Sequence, residues 1–168
     1  QQMEEGLDTG PLFHSATMAL GPRETGGSLH DKLMAMSAEV AVRTLAEIEQ
    51  TKPIPQESEG VCWAPKISKI DGRIDWKESA VALDRRIRAM SPWPGGWAQY
   101  GEARIKLIEA ELTDDSGGPG EILSVAPNLV VACGEGALTL KRVQAPGRKP
   151  VSGRDFANGA RLAVHQEL

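Results

Sequence analysis

The sequence predicts an α+β chain: one long helix, a polar linker, then a small β domain built from short strands. Three observations carry this reading. Apolar residues recur at helical spacing between Leu29 and Ile48. Residues 51–65 are rich in Pro, Glu, Gln, Ser and Gly, the composition of a surface linker. From Trp97 onward, short β-prone runs alternate with Gly and Pro turns at regular intervals. The 168 residues suit one ordinary domain or two small ones, and 40% hydrophobic with 25% charged content excludes a wholly disordered chain.

Taken in order, Gly6-Leu7-Asp8-Thr9-Gly10-Pro11 is turn chemistry, and the loose alternation from Leu12 to Leu20 predicts a strand. Ser28 is a suitable N-cap for the long helix, with Asp31 in its first turn where the dipole favours a carboxylate. Leu29, Leu33, Met36, Val40 and Ile48 form its apolar stripe, widened by Ala41 and Leu45. The helix should stop before Pro53. Ser79 caps a second helix whose apolar face is Leu83, Ile87 and Met90, and Pro92 and Pro94 end it. Strands are predicted at 97–100, 105–112, 120–125, 129–133 and 137–143, and Ser152 caps a short final helix near 155–160. Such a set of short strands suggests a small barrel or sandwich.

Several function classes drop out early. No run approaches the roughly 20 apolar residues of a membrane span, and no apolar run follows a basic start as in a secretory signal. Two cysteines, Cys62 and Cys133, make neither a disulfide scaffold nor a four-ligand zinc site, so a reduced, cytoplasmic setting is expected. His14, His30 and His165 show no metal-ligand spacing. Gly134-Glu135-Gly136 reads as a hairpin turn and not a phosphate loop, since no helix follows it directly. Trp93 and Trp97 could stack on bases, but tryptophan beside proline is more often a packing wedge between domains.

Charge is unevenly placed. The net is −4, yet residues 66–92 hold seven basic against four acidic groups, and residues 141–161 hold six against one. Solvated faces and a polyanion partner both account for such segments. For a polyanion the better candidates are Lys141, Arg142, Arg148, Lys149, Arg154 and Arg161, which lie on the β domain and its last loops. An oligonucleotide-binding barrel uses a surface of this kind to track phosphates. Among carboxylates Asp8 stands out, because flanking glycines allow close approach of a substrate; an ordinary turn aspartate is the plain alternative. Asp8-Thr9-Gly10 also spells the aspartic-protease triplet, but that fold is mostly β and needs two such carboxylates, whereas a long helix follows here and the triplet occurs once.

Several segments together, in order, resemble the methionyl-tRNA formyltransferase family. They are Gly6-Leu7-Asp8-Thr9-Gly10, Thr25-Gly26-Gly27-Ser28-Leu29-His30-Asp31-Lys32-Leu33, Ala64-Pro65-Lys66-Ile67 and Arg73-Ile74-Asp75-Trp76. To these add Ile87-Arg88-Ala89-Met90-Ser91-Pro92-Trp93-Pro94-Gly95, the most specific signature, then Gly120-Glu121-Ile122 and Ala145-Pro146-Gly147-Arg148-Lys149-Pro150. The resemblance implies formyl transfer from 10-formyltetrahydrofolate to the methionine amine of initiator methionyl-tRNA. It implies the tail of a Rossmann-like α/β formyltransferase domain at 1–50, a linker at 51–72, and at 73–168 a small OB-fold-like β-barrel that binds tRNA. Asp8 matches the family's catalytic Asp. The partner Asn and His belong to an upstream Asn-x-His pattern that this chain lacks, so the chain is expected to be a carboxy-terminal half, inactive alone and monomeric. Pro11 departs from the acidic or polar residue that the pattern has after Asp-Thr-Gly. Lys66, Lys69, Arg85, Arg86 and Arg88 would join Lys141, Arg142, Arg148, Lys149 and Arg154 in a tRNA-binding surface. Other formyltetrahydrofolate enzymes (sugar-amine formyltransferases, the hydrolase part of formyltetrahydrofolate dehydrogenase) and a stand-alone RNA-binding module are the alternatives.

Overall fold

A computed structural model describes all residues, Gln1–Leu168. The chain falls into two units: Gln1–Pro22 with Ser28–Lys66, and Arg23–Gly27 with Ile67–Leu168.

The first unit holds most of helix α1, Gly26–Glu47, whose first two residues belong to the second unit. The helix starts two residues before the predicted cap Ser28, because the Gly27 amide is satisfied from elsewhere: it donates to the Ser91 carbonyl at 2.8 Å. The predicted apolar stripe is real as a pattern but covers no core. No α1 residue is buried, Leu45 is 72% exposed, and only Met36 and Val40 of the stripe are half-buried in its central turns. The expected strand at 12–20 is also absent. Leu12 alone pairs, in an isolated antiparallel bridge with Ile54 closed by two backbone hydrogen bonds of 2.8 and 2.9 Å. Without a neighbouring ladder, alternation does not make a strand.

The second unit is built on an antiparallel sheet: β1 Gly96–Tyr100, β2 Ala103–Thr113, β3 Ile122–Ser124, β4 Leu129–Ala132, β5 Ala137–Gln144 and β6 Val151–Ser152. The order is β1-β2-β5-β4-β3, with β6 on β5. Helix α2, Ala80–Ala89, packs on β2; α3, Gly153–Ala160, packs on β5. Both caps are as predicted: Ser79 Oγ accepts from the Ala82 amide and Ser152 Oγ from the Asp155 amide. A 3-10 turn at Lys69–Gly72 and strand β6 went unpredicted, each too short to show a period. Leu83, Ile87, Ile105, Leu107, Ile122 and Leu140 are fully buried, and β4 is buried along its whole length. The Gly134-Glu135-Gly136 turn holds the start of α2: the Glu135 carbonyl accepts from Ala80, and Gly134 lies so close to the Lys77 carbonyl that a Cβ would sit 1.9 Å from it.

The sheet does not close into the barrel expected from sequence. β1 and β3 remain its two edges, and each is covered by a different piece of chain. The Ile74 amide donates to the Trp97 carbonyl along β1 at 2.8 Å. Along β3 the tail runs antiparallel: Ile122 donates to Gln166, His165 to Ile122 and Leu168 to Gly120. Covered edges remove the drive for closure. Curvature comes from matched irregularities. β2 carries an extra residue, Ile108, between Leu107 and Glu109; β5 carries Lys141 between Leu140 and Arg142. The buried face therefore steps from Ile105 and Leu107 to Ala110 on one strand, and from Leu138 and Leu140 to Val143 on the other.

One carboxylate lies inside this unit. Asp84 on α2 is 4% exposed. It accepts from Arg23 Nη1 at 2.9 Å and from Arg88 Nε at 3.0 Å. Arg23 Nη2 donates onward to the Ala110 carbonyl at the strand irregularity, and Arg88 Nη1 to the Glu24 carbonyl. Asp84→Ala should lower stability to urea by about 1–3 kcal/mol, because Arg23 and Arg88 keep their carbonyl acceptors but lose the carboxylate that joins them; a loss under about half a kcal/mol would contradict this role. The tail gives a pH prediction. The hydrogen bond to His165, then that from the Gly118 amide, holds the Glu121 carboxyl below its ordinary 4.5. A folded pKa below the unfolded one stabilises above pH 4.5 and is lost as pH falls. Leu168 and Ile122 amides should therefore lose exchange protection on acidification below 4.5, and Glu121→Gln should remove that dependence.

Candidate nucleic-acid interface and the Asp8 turn

Asp8 sits at a left-handed turn, φ 57°, a conformation that Asp tolerates better than most residues. Gln56 holds the turn: its Nε2 donates to the Asp8 carbonyl at 2.9 Å and the Gly10 carbonyl at 2.7 Å. The carboxylate faces solvent with only a long contact, 3.4 Å, from Gln1 Nε2. No cation lies within 4 Å of it. The nearest histidine in sequence is engaged elsewhere: His14 bonds Thr44 Oγ1 through Nδ1 and Glu47 Oε2 through Nε2, both at 3.1 Å. The turn presents a fixed, free carboxylate and no catalytic partner for it. Gln56 was not singled out by sequence, since an amide in a polar linker carries no pattern of its own.

The basic residues sort into committed and free. Arg86 forms a two-point pair with Glu78 and also donates to the Arg73 carbonyl. Arg88 is the Asp84 partner already described, and Lys141 pairs with Glu111 at 3.2 Å. Lys66 in the first unit, and Lys69 and Arg85 in the second, are exposed without a carboxylate partner. Arg142, Arg148, Lys149 and Arg154 are likewise exposed, and β5–β6 gathers them, with Arg142 opposite Ser152 and Arg154 two residues beyond. Two cations beside them were missed. Arg104 and Lys106 point outward from β2, alternating with buried Ile105 and Leu107, and Lys106 stands opposite Gln144. The Arg-Ile-Lys-Leu alternation was the signal that could have found them. Arg104 also stacks over the Trp97 ring, 4.3 Å from its centroid, while the Trp97 indole donates to the Lys69 carbonyl. Trp97 is thus a packing residue, and Trp93 is 59% exposed.

Other chemistry is thin. No group of three or more His, Cys, Asp or Glu side chains is placed to hold a metal. Burial pushes the Cys133 thiol up to about 11, so it is no nucleophile at neutral pH. No helix is long and apolar enough to cross a membrane.

Residues 66–161, over half of the chain, match the formyl transferase C-terminal domain. The chain belongs to the formyl transferase C-terminal domain family. The family match covers the whole sheet and its three flanking elements, and leaves Asp8 and Gln56 outside it. Curated relatives extend further. A methionyl-tRNA formyltransferase of Ruegeria pomeroyi is 43% identical over 158 residues, 94% of this chain and 52% of its own length. One of Burkholderia pseudomallei is 43% identical over 173 aligned residues, 99% of this chain and 53% of its own. The chain thus spans about half the length of the curated relatives it matches. Among solved structures, HypX from Aquifex aeolicus in complex with tetrahydrofolic acid superposes with a TM-score of 0.68 at 19% identity, over 98% of this chain and 30% of that one. The N-formyltransferase of Helicobacter canadensis gives 0.64 at 14%, over 85% and 53%. At those identities the likeness is one of fold.

Gln56→Ala should loosen the Asp8 turn. Two carbonyls lose their donor, worth about 1 kcal/mol net, so Leu12 and Ile54 amides should exchange roughly fivefold faster. Unchanged exchange at both would show that Gln56 does not hold this turn.

Proposed function

We propose that this chain is the tRNA-docking half of a methionyl-tRNA formyltransferase, bearing one catalytic carboxylate, Asp8. The observation that carries the reading is 42–43% identity to methionyl-tRNA formyltransferases across 94–99% of the chain. The free cations at the β5–β6 end support it independently. On this reading residues 1–50 are the end of a Rossmann-like catalytic domain, residues 51–72 a linker and residues 73–168 the tRNA-binding domain of a monomeric cytoplasmic enzyme. Most contacts to 10-formyltetrahydrofolate lie upstream of Gln1.

The chemistry divides accordingly. The methionine amine attacks the formyl carbon, the carbon–nitrogen bond to the folate breaks, and the amine proton passes to the departing nitrogen. A tetrahedral oxyanion forms on the way and needs donors positioned for it. Asp8 cannot donate while ionised. Its role is to orient an upstream histidine and to favour that histidine's charged form. The fixed turn suits this, because a loosely held carboxylate would orient nothing.

Docking is electrostatic. Arg142, Arg148, Lys149 and Arg154, together with Arg104 and Lys106, face phosphates, and each phosphate neutralised releases counterions. Arg86 and Arg88 act through the fold, since their guanidinium groups are spent on Glu78 and Asp84. Initiator tRNA binding by the purified chain should weaken steeply between 50 and 200 mM salt, and R142Q/R154Q should reduce the log–log slope by about 2. The same preparation should transfer no formyl group. A salt-independent affinity would remove the phosphate contacts, and turnover by this chain would remove the need for upstream Asn and His.

A further inference from the structure

A cavity of about 520 Å³ opens in the second unit, where β1 and β2 meet the turn before β6 and helix α3. Its size falls in the range of about 300–1,000 Å³ usual for small-molecule sites. The wall is apolar and partly aromatic. Tyr100 and Phe156 meet edge to face with centroids 6.2 Å apart, and Ile105 and Val151 extend the same surface. Arg148 and Lys149 add two positive charges, and neither has a carboxylate within 4 Å. Asp155 is the only carboxylate in the lining; one of its oxygens accepts from Ser152 Oγ at 2.7 Å.

Gly159 adds an independent observation. It lies within α3, its φ is not positive, and a Cβ built on it meets nothing within 4 Å. Neither backbone conformation nor packing requires glycine there, and glycine is the poorest helix former after proline. Gly159 is one of the residues that line the cavity, so the space free at its Cβ position adjoins it.

We propose that this cavity binds a purine nucleotide. The ring lies against Tyr100 and Phe156, the phosphate meets Arg148 and Lys149, and a ring amine donates to Asp155. An apolar, partly aromatic wall beside two unpaired cations selects an aromatic anion. The carboxylate disfavours a plain fatty or aromatic acid and favours a ring edge that carries N–H donors. A free nucleotide and an unpaired purine of an RNA chain present the same chemistry. The inference goes beyond the tRNA reading and does not need it, since a nucleotide would bind even if tRNA did not.

The test uses the full 168-residue chain. GMP, a single-stranded RNA tetranucleotide with one purine, ribose 5-phosphate and initiator tRNA are titrated separately, with binding read by calorimetry and by amide chemical shifts. Two variants accompany the wild type: G159L, which fills the cavity at a position with free space, and R148Q/K149Q, which removes its cations. Thermal melts check that both fold. GMP or the tetranucleotide should bind saturably, at least tenfold tighter than ribose 5-phosphate and at least tenfold more weakly to each variant. Binding of GMP alone identifies a free nucleotide as the occupant; binding of the tetranucleotide alone identifies an RNA base. Failure of both, or binding unchanged by G159L, overturns the proposal. If initiator tRNA still binds in that case, the tRNA reading stands without the cavity.

Discussion

A buried carboxylate is stable only where its lost hydration is replaced, and Asp84 sets that condition for much of the second unit. Its replacements come from opposite directions along the chain. Arg88 is one helical turn away, whereas Arg23 lies 61 residues earlier. Because each arginine also donates to a carbonyl, the charge fixes three things at once: α2, the 23–27 segment and the strand irregularity at Ala110. Hydrophobic burial of Leu83 and Ile87 brings α2 to the sheet but is indifferent to small rotations. The directional bonds to Asp84 select one orientation. That orientation carries the Met90–Gly95 turn and the start of α1 with it, since the Gly95 amide donates to Met90 and the Gly27 amide to Ser91.

The edges of the sheet decide where a partner can reach it. A free edge would offer unpaired amides and carbonyls to any extended chain. Here the Arg73–Ile74 segment lies along β1 and the tail along β3. Side chains on the sheet's outer surface also offer recognition, and four of the free positive ones, Arg142, Arg148, Lys149 and Arg154, gather at the β5–β6 end.

Much of the β domain was legible in the sequence because local rules and tertiary structure agree there. Ser79 and Ser152 cap the helices they were expected to cap, and the five longer strands fall between their Gly and Pro turns. The failures share a cause: they depend on a partner remote in sequence. The α1 stripe has the right period, yet nothing in this chain covers Leu45. Arg86 and Arg88 look like phosphate ligands in a basic segment, but Glu78 and Asp84 use them, and charge counting cannot see geometry. Asp8 stands out in sequence for its flanking glycines, while Gln56, which holds its turn, is 48 residues away. Arg142 and Arg154, by contrast, are near in sequence and are brought to one end of the sheet by the pairing of Arg142 with Ser152.

The paired irregularity of β2 and β5 constrains how this sheet can vary in length. Ile108 and Lys141 are each surplus to their own strand, and the pairing on either side resumes as if neither were there. Losing one alone would leave the other unmatched and slip every pair beyond it, turning the buried face outward. Losing both would restore a regular, flatter ladder with Leu107 and Ala110 still facing inward. Across related sequences, a deletion at Ile108 is therefore tolerable only where a second deletion accompanies it at Lys141. The two sites, far apart in the chain, form a single unit of length change.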